Sequence, residues 1–457
     1  MTRIALHIND AAITLLSGER IAYREPGFAL LDDRALTTGN EAFSTARIHP
    51  RRIHHRFWAN LGTAPLQVQG FGHLSAADLV SRQLEQLWQR GGSNATELVV
   101  AVPAYMDTQQ LGLFLGIAGE LKLPVVALVD AAVAATRRQY VDAVPVHIDM
   151  GLHATTLTRL AQPGHAQVER VEVLQDSGIY ALYDIWLNIL AEAFVNQSRF
   201  DPLHTAETEQ MLLNNLAEWL AEAARHERVA LELQYRGIKH TAEVESLALI
   251  GAAAPVYQPV ASKLRALYRA EDTAAIQVTD RIARLPGLAE MLKARVGGEV
   301  FVLEPGATAR GALARIREGS GKGSSISLRR QLPWDQSGTQ VEGDESARLH
   351  AGVPTHLLFG SKAYAIQASP ALVLGSQTAD GERTILLGSD MPGISRRHCS
   401  ISLRNGQCVL EDLSRYGTFL NGHRIDGSTV LQVGDSLRVG SPGYEFDLIT
   451  TDEAYGT

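Results

Sequence analysis

The sequence predicts two folded domains, an α/β domain over residues 1–316 and an all-β sandwich over residues 351–457, joined by a flexible linker. Three observations support this prediction. A chain of 457 residues is too long for one ordinary hydrophobic core. Apolar runs alternate with amphipathic helices in the first domain, whereas the second contains short strands separated by turn signals. Between them, residues 317–350 are rich in Gly, Ser, Gln and charge.

The composition excludes several classes of protein. Lys and Arg number 42 against 50 Asp and Glu, which gives a formal net charge of −8 and a pI near 6.0. General nucleic-acid binding rests on an excess of basic residues and is therefore not expected. The amino terminus lacks a secretory pattern and no apolar run is long enough to span a bilayer, so we expect no membrane insertion and a cytoplasmic protein.

The first domain alternates predicted strands and helices. Leucines recur at helical spacing in residues 179–197 and 207–225, which predicts two amphipathic helices. Strands are expected where aliphatic and β-branched residues cluster, at residues 4–8, 97–102, 124–128, 144–149 and 246–250. This alternation is typical of a mixed α/β domain.

A dense basic cluster follows the first strands. It forms either a patch for nucleic acid or an acidic partner, or a solvated and partly ion-paired face. The histidine spacing lacks supporting Cys or Glu ligands, so no metal site is expected. The cluster comprises His49, Arg51, Arg52, His54, His55 and Arg56.

Five segments of the first domain, in their order and spacing, resemble the DnaK-type chaperone ATPase domain of the actin-like superfamily. The resemblance implies an actin-like fold, with ATP and magnesium as the cofactors of an active member. It places Gly151 in the second phosphate loop and Gly251 in the adenosine loop. The five segments are residues 102–106, 129–135, 148–151, 249–253 and 307–314.

Departures from that family predict a loss of catalysis. Phosphate loops need glycines so that backbone N–H groups can approach the anion. The first such loop, at residues 7–12, has none, and Leu152 and His153 replace two glycines of the second. The phosphate-reaching lysine of the family is also missing. Asp130 and Asp149 remain, and they would hold a metal-bound water if this domain hydrolysed ATP.

The second domain contains a hairpin around the Asn-Gly pair at residues 405–406, the strongest short-range hairpin signal. Counting outward from this turn pairs Cys399 with Asp412 and Cys408 with Leu403. The two cysteines of the chain therefore do not face each other across the hairpin. We interpret both as small buried residues in a reducing compartment, with a disulfide as the alternative.

Further strands are expected on both sides of this hairpin. Two polar loops, residues 393–398 and 412–422, flank it and lie at strand ends, where binding residues usually sit. The predicted strands are residues 357–359, 371–374, 384–387, 399–403, 408–412, 436–439 and 444–449.

Motifs in these loops resemble the forkhead-associated (FHA) domain, a reader of phosphothreonine peptides. The resemblance covers residues 351–457. A phosphate dianion at a strand-end surface needs several donors and at least one cation, which the loops contain. The matching segments, in the family's order and close to its spacing, are residues 395–398, 412–418, 421–422 and 434–435.

Four residues are predicted to bind the phosphopeptide. Ser395 can donate through its hydroxyl group and Arg396 can supply charge. By resemblance, Arg415 is a second-loop phosphate contact, and Tyr416 lies where the family commonly has an asparagine that reads peptide residues after the phosphothreonine. The residues expected to support the loops are His398, Gly417, Thr418 and Asn421.

One expected cation is missing from the phosphopeptide site. The family usually has an arginine directly after the glycine of the second strand, but here Gly375 is followed by Ser376. Our hypothesis is that Arg415, together with Arg396, replaces the lost charge.

The sequence therefore predicts a phosphothreonine-dependent adaptor in which an FHA domain is tethered to an inactive actin-like domain. Its partner is a phosphothreonine-containing protein, and no cofactor is required. The alternative is an active DnaK-like ATPase, with ATP and magnesium, that its FHA domain directs to phosphorylated partners. A scaffold that binds unphosphorylated partners and an actin-like polymer remain as further alternatives.

Overall fold

The chain divides into two compact units, residues 1–339 and 340–457. In a computed structural model, no helix among the described residues is long and apolar enough to cross a membrane. The described residues are 2–18, 20–32, 36–92, 94–316, 326–335, 353–359, 362–378, 383–387, 394–404, 406–415, 417–420, 423–425, 427–432, 435–440 and 444–449.

The first unit contains two six-stranded sheets, a three-stranded sheet and a two-stranded hairpin. Its strands are β1 (Arg3–His7), β2 (Ile13–Ser17), β3 (Arg20–Glu25), β4 (Ala29–Leu31), β5 (Leu36–Thr38), β6 (Ile53–His54), β7 (Glu97–Val102), β8 (Val125–Asp130), β9 (Val144–Met150), β10 (Ala154–Ala161), β11 (His165–Gln175), β12 (Arg228–Tyr235), β13 (Ile238–Glu245), β14 (Ala274–Val278), β15 (Glu299–Val302), β16 (Leu328–Arg329) and β17 (Gln331–Pro333). Its helices are α1 (Asn40–Phe43), α2 (Ala76–Gly91), α3 (Thr108–Glu120), α4 (Ala131–Ala135), α5 (Tyr180–Ser198), α6 (Ala206–Ala223), α7 (Ser246–Leu267), α8 (Leu288–Val296) and α9 (Ala307–Arg315).

The two large sheets repeat one arrangement of strands. The first has the order β16-β8-β7-β1-β2-β3, and the second has the order β15-β14-β9-β10-β11-β17. In the first sheet, β1, β2 and β3 form an antiparallel meander, and β1 also pairs in parallel with β7. In the second sheet, β9, β10 and β11 form the same meander, and β9 also pairs in parallel with β14. A further parallel strand pairs with β7 and with β14 in turn, namely β8 in the first sheet and β15 in the second. The first unit therefore contains the same strand arrangement twice.

Two short helices of small residues, α4 and α9, contact each other between the repeats. Gly311 of α9 lies so close to α4 that a Cβ atom there would overlap the carbonyl oxygen of Ala134. Arg315, at the end of α9, is buried and donates to the carbonyl oxygens of Val133, Ala134 and Thr136. These are carbonyl groups at the C-terminal end of α4, which have no partner within the helix. Burial lowers the pKa of Arg315 to about 10, so it remains charged at neutral pH.

The predicted linker, residues 317–350, differs from the structure in one part. Residues 326–335 run along both large sheets, since β16 pairs with β8 and β17 pairs with β11. Leu332 is buried, and Asp335 accepts hydrogen bonds from Arg137 at 2.8 and 2.6 Å. The polar composition misled the prediction because sheet edges satisfy this segment's backbone while only a few side chains enter the core. The rest of the predicted linker lies outside the described residues.

The predicted strand at residues 246–250 is wrong. These residues begin α7, which extends to Leu267. Leu249, Ala253, Tyr257 and Val260 are buried along one helix face, a period of three to four residues that outweighs the short aliphatic run. The other predicted strands of this unit coincide with β1, β7, β8 and β9 within two residues, and the two predicted helices are α5 and α6.

The second unit is a sandwich of two sheets, which confirms the predicted all-β domain. The sheet orders are β19-β18-β28-β27-β24-β25 and β21-β20-β22-β23-β26. The hairpin β22–β23 pairs Cys399 with Asp412 and Cys408 with Leu403, as the turn predicted, and both cysteines are buried and free. The strands are β18 (His356–Phe359), β19 (Lys362–Ala365), β20 (Leu372–Gly375), β21 (Arg383–Leu386), β22 (Cys399–Arg404), β23 (Gln407–Asp412), β24 (Thr418–Leu420), β25 (His423–Arg424), β26 (Ser428–Leu431), β27 (Ser436–Val439) and β28 (Tyr444–Ile449).

The buried guanidinium of Arg315 provides a test of the packing between the repeats. We expect Arg315→Met to lower the free energy of unfolding of the first unit by roughly 3 kcal/mol, because buried carbonyl groups lose their donor. Urea unfolding measures the change. Arg295→Met, on an exposed position of α8, is the control and should change it by less than about 0.5 kcal/mol. Equal effects of the two substitutions would contradict this role of Arg315.

Candidate functional site

The two predicted loops of the sandwich meet at one end of the β22–β23 hairpin. Ser395 and Arg396 precede β22, and Arg415 lies between β23 and β24. Because β22 and β23 are antiparallel with Cys399 opposite Asp412, the start of one strand and the end of the other share an edge. The fold thereby brings together residues that are about twenty positions apart in sequence.

His398 joins the two loops through both ring nitrogens. Its Nδ1 accepts a hydrogen bond from the backbone N–H of Ser395 at 3.1 Å, and its Nε2 lies 3.1 Å from the carbonyl oxygen of Gly417. These partners fix the neutral tautomer with the proton on Nε2, which donates to Gly417. The side chain is fully buried, and burial lowers the pKa of His398. A neutral imidazole therefore holds the site at physiological pH.

The second loop is held by bonds of its own. Asp412 Oδ1 accepts from the N–H of Ser414 at 3.0 Å and from the hydroxyl group of Thr418 at 2.7 Å. Ser414 Oγ in turn accepts from the N–H of Gly417 at 2.7 Å. Gly417 has a φ of 97°, which favours glycine. The loop keeps its conformation without help from a ligand.

Ser395 and Arg415 are in direct contact. The backbone N–H of Arg415 donates to Ser395 Oγ at 3.2 Å, which leaves the hydroxyl proton of Ser395 without an acceptor among the described residues. The side chains of Arg396 and Arg415 are exposed. Within the same set of residues, neither guanidinium group has a hydrogen bond or an ion pair. The two joined loops thus contain a hydroxyl donor and two exposed arginines without a partner in the described part of the chain.

The first loop lies against the end of β20. Ser376 donates its N–H to the carbonyl oxygen of Ser395 at 3.1 Å, and Gln377 donates to that of Arg396 at 3.2 Å. A Cβ atom at Gly375 would overlap the Arg396 carbonyl group, so only glycine permits this approach. Ser376, where the family's arginine is missing, therefore supports the loop through its backbone.

A further cation, Arg424, is absent from the sequence-based prediction. Its guanidinium group lies so close to Gly417 that a Cβ atom there would be 2.7 Å from Arg424 Nε. Arg424 is exposed and pairs with Phe419 in the β24–β25 ladder. Counting outward from the Asn-Gly pair at residues 421–422 would have found this pairing. The predicted Tyr416 and Asn421 lie outside the described residues.

The predicted catalytic carboxylates of the first unit are both buried, and both already accept hydrogen bonds from protein groups. Asp130 caps α4, where its Oδ1 accepts from the N–H groups of Ala132 and Val133 at 2.9 and 3.2 Å. Burial raises the pKa of Asp130 to about 6. Asp149 Oδ1 accepts from Asn9 Nδ2 at 2.6 Å, and its Oδ2 lies 3.6 Å from His7 Nε2. Burial alone would raise the pKa of Asp149, but the neighbouring bases hold it below its ordinary value.

The loop after β1 directly contacts the turn after β9. Asn9 Nδ2 also lies 3.3 Å from the carbonyl oxygen of Met150, and Asp10 Oδ1 accepts the N–H of Leu152 at 2.7 Å. A Cβ atom at Gly151 would overlap Asp10 Oδ1. Burial raises the pKa of Asp10 to about 6. The backbone donor that a phosphate would need is thus engaged by a carboxylate.

Gly251 does not lie in a ligand-binding loop. It occupies the exposed side of α7, where a Cβ atom would meet no other atom within 4 Å. Residues 249–253 form part of α7 instead of the predicted loop, because the same helical period that buries Leu249 and Ala253 turns Gly251 to the surface. A nucleotide contact of Gly251 stays a prediction.

The buried imidazole predicts an acid-sensitive sandwich. In the unfolded chain His398 titrates near its ordinary pKa of 6.5, whereas burial lowers its pKa in the fold. As the pH falls through 6.5 the unfolded chain therefore takes up a proton first, and the free energy of unfolding decreases. Above pH 6.5 His398 is neutral in both states, and it no longer lowers the free energy of unfolding.

Thermal unfolding of residues 340–457 between pH 7.5 and 5 measures this effect. His398→Asn is the control, because its side chain can still accept from the Ser395 N–H but cannot titrate. We expect this variant to unfold at a lower temperature at pH 7.5 and to lose part of the pH dependence. Identical pH dependence in both proteins would show that His398 does not cause it.

Residues 373–440 match the family model of the FHA domain. A search of curated proteins found no match to the chain. The matched range extends from β20 through β27 and contains both loops that His398 joins. The C-terminal unit therefore contains an FHA domain, a module of phosphothreonine-dependent protein interaction.

Proposed function

We propose that this protein is an adaptor whose FHA domain binds phosphothreonine peptides through Ser395, Arg396 and Arg415. The observation that supports the proposal is the contact between the Arg415 N–H and Ser395 Oγ, because it joins the two loops that contain the Ser395 hydroxyl group and the exposed Arg396 and Arg415. No rearrangement of the described loops is needed to expose these groups.

The charge of the ligand fits these donors. A phosphothreonine carries about −1.5 to −2 charges and three acceptor oxygens at neutral pH. Guanidinium groups form bonds to phosphate that are roughly twice as strong as neutral ones. Unmodified threonine has neither the charge nor the additional oxygens. Arg415 and Arg396 would thereby take over the role of the arginine that Ser376 replaces.

The first unit is proposed to be an actin-like domain without ATPase activity. The duplicated meander with parallel strands supports kinship with that superfamily. The absence of turnover is supported by the contacts of Asn9 and Asp10, which engage the turn after β9 where an active member would hold phosphates. Phosphoryl transfer depends on positioning and charge stabilisation, and residues 7–12 contain no glycine that would let backbone N–H groups approach a phosphate.

Nucleotide binding without hydrolysis remains a separate property to test. A cavity of about 260 Å³ lies beside these loops and is large enough for an aromatic group. It is mainly apolar, with Arg281 and Arg284 in its lining. A nucleotide bound in this cavity would make the first unit a nucleotide sensor. Hydrolysis would in addition require the glycine-rich phosphate loop that residues 7–12 do not provide.

In the adaptor, the two units act together through their covalent connection. Capture of a phosphorylated partner by the FHA domain raises the effective concentration of that partner at the first unit. This arrangement needs no catalytic step. It also explains why a phosphopeptide reader is joined to a larger domain.

Binding of phosphothreonine and threonine peptides tests the proposal. We expect the full chain to prefer the phosphorylated form, and Arg415→Ala to weaken that binding by roughly 1.5–3 kcal/mol, because a charge-assisted bond is lost. Isothermal titration with a phosphothreonine peptide library measures both effects. Arg404→Ala, an exposed arginine at the other end of β22, is the matched control and should bind normally. Equal affinity for both forms of the peptide would refute the proposal.

ATP turnover distinguishes the adaptor from the active ATPase. We expect the full chain with magnesium and ATP to release phosphate no faster than Asp149→Ala, since the Asp149 carboxylate is buried and already contacts Asn9 and His7. Release well above that variant would favour the enzyme. ATP binding is followed separately, by equilibrium dialysis.

A further inference from the structure

The hairpin β12–β13 of the first unit has one covered edge. Gln197 of α5 donates to the carbonyl oxygen of Glu243 at 2.7 Å and accepts the N–H of Glu243 at 2.8 Å. This side-chain amide occupies the position that a neighbouring strand would take. The outer edge of β13 is thus blocked at Glu243, near the end of the strand.

The turn of the hairpin determines which backbone groups face outward on β12. Arg236 and Gly237 both have positive φ and form a two-residue turn between Tyr235 and Ile238. In such a hairpin the residues beside the turn exchange hydrogen bonds, and bonded pairs recur at every second residue. The groups that point away from β13 therefore belong to Arg228, Ala230, Glu232 and Gln234.

Glu243 provides an independent check of this alternation. It lies opposite Ala230 in a pair that does not exchange hydrogen bonds, so its N–H and carbonyl groups must face outward from β13. Their bonds to Gln197 show that they do. On the β12 side, no backbone group of the described residues bonds to the outward groups. The strand contains neither proline nor a bulge that would disfavour an added strand.

An open groove of about 640 Å³ runs between this edge and α6. The residues of α6 that line the groove recur at helical spacing. Met211 and Trp219 among them are apolar and would contact the side chains of an added strand. The full contribution of α6 is Met211, Asn215, Glu218, Trp219 and Glu222. Backbone hydrogen bonds to β12 and side-chain contacts to α6 are therefore available to one extended segment.

The charge of the groove identifies the class of segment. The groove is lined by three glutamates, Glu218, Glu222 and Glu232, and by one basic residue, Arg228. Arg228 already pairs with two glutamates of β13, at 3.1 and 3.5 Å. Lys239 and His226 lie near Glu232 and Glu222, and the net charge of the lining is still negative. A second copy would bring this same acidic face of α6 against itself, which disfavours self-pairing.

We propose that the outer edge of β12 and the groove beside α6 bind an extended, basic segment of a partner protein by strand addition. The segment alternates apolar side chains, which contact Met211 and Trp219, with lysines or arginines. This site is separate from the phosphopeptide site and does not depend on it. It gives the first unit a binding role of its own.

A labelled peptide with the sequence Lys-Val-Lys-Val-Lys-Val-Lys, blocked at both ends, is the probe, and fluorescence anisotropy with the full chain is the measurement. Ala230→Pro removes one outward N–H of β12. Thr241→Pro is the matched control, because it removes an outward N–H of β13 at an equally exposed position. We expect Ala230→Pro to weaken binding at least about tenfold and Thr241→Pro to leave it nearly unchanged. A Glu-Val peptide of equal length should bind at least about tenfold more weakly.

Equal effects of the two proline substitutions, or equal binding of the basic and acidic peptides, would overturn the proposal. So would concentration-dependent dimerisation that Ala230→Pro abolishes in a chain that does not bind the peptide, since the occupant would then be a second copy. If Ala230→Pro does not fold, hydrogen exchange of the unmodified chain decides. The basic peptide should slow exchange within residues 228–235, and unchanged exchange there would refute strand addition.

Discussion

The recognition surface of the sandwich depends on one neutral imidazole. His398 accepts from the loop before β22 and donates to the loop after β23, so neither loop can move without breaking a buried hydrogen bond. The consequence extends to Ser395 and Arg415, whose own contact requires the loops to be in register. Prearrangement of this kind reduces the ordering cost that binding would otherwise incur.

In the first unit, hydrogen bonds also join two loops, but here they use a backbone donor instead of leaving donors exposed. Asp10 of the loop after β1 accepts the Leu152 N–H of the turn after β9, and Asn9 of the same loop donates to Asp149 of β9. In the sandwich the loops are bonded to each other, and within the described residues the Ser395 hydroxyl proton and the guanidinium groups of Arg396 and Arg415 have no partner. The contrast is consistent with the proposal that the smaller unit recognises phosphate and the larger unit does not.

The sequence was informative where local chemistry decides structure. The Asn-Gly turn predicted the pairing of both cysteines, and aliphatic runs located β1, β7, β8 and β9. It failed at residues 246–250, where a short aliphatic run belongs to a helix, because length and helical period become visible only over the whole of α7. It also failed at residues 326–335, since pairing with two distant sheet edges leaves no local signal. Arg424 was missed because the Asn-Gly pair at residues 421–422 was not used to count the pairing of β24 with β25, which brings Arg424 opposite Phe419.

The central claim is that exposed guanidinium groups beside Ser395 recognise a phosphate dianion. The most direct measurement is the phosphorus NMR titration of a phosphothreonine peptide, free and bound to the full chain. Two nearby cations favour the dianion, so we expect the second pKa of the phosphate to fall by about one unit on binding and to recover partly in Arg415→Ala. A phosphate whose pKa is the same in the free and bound peptide would contradict the account.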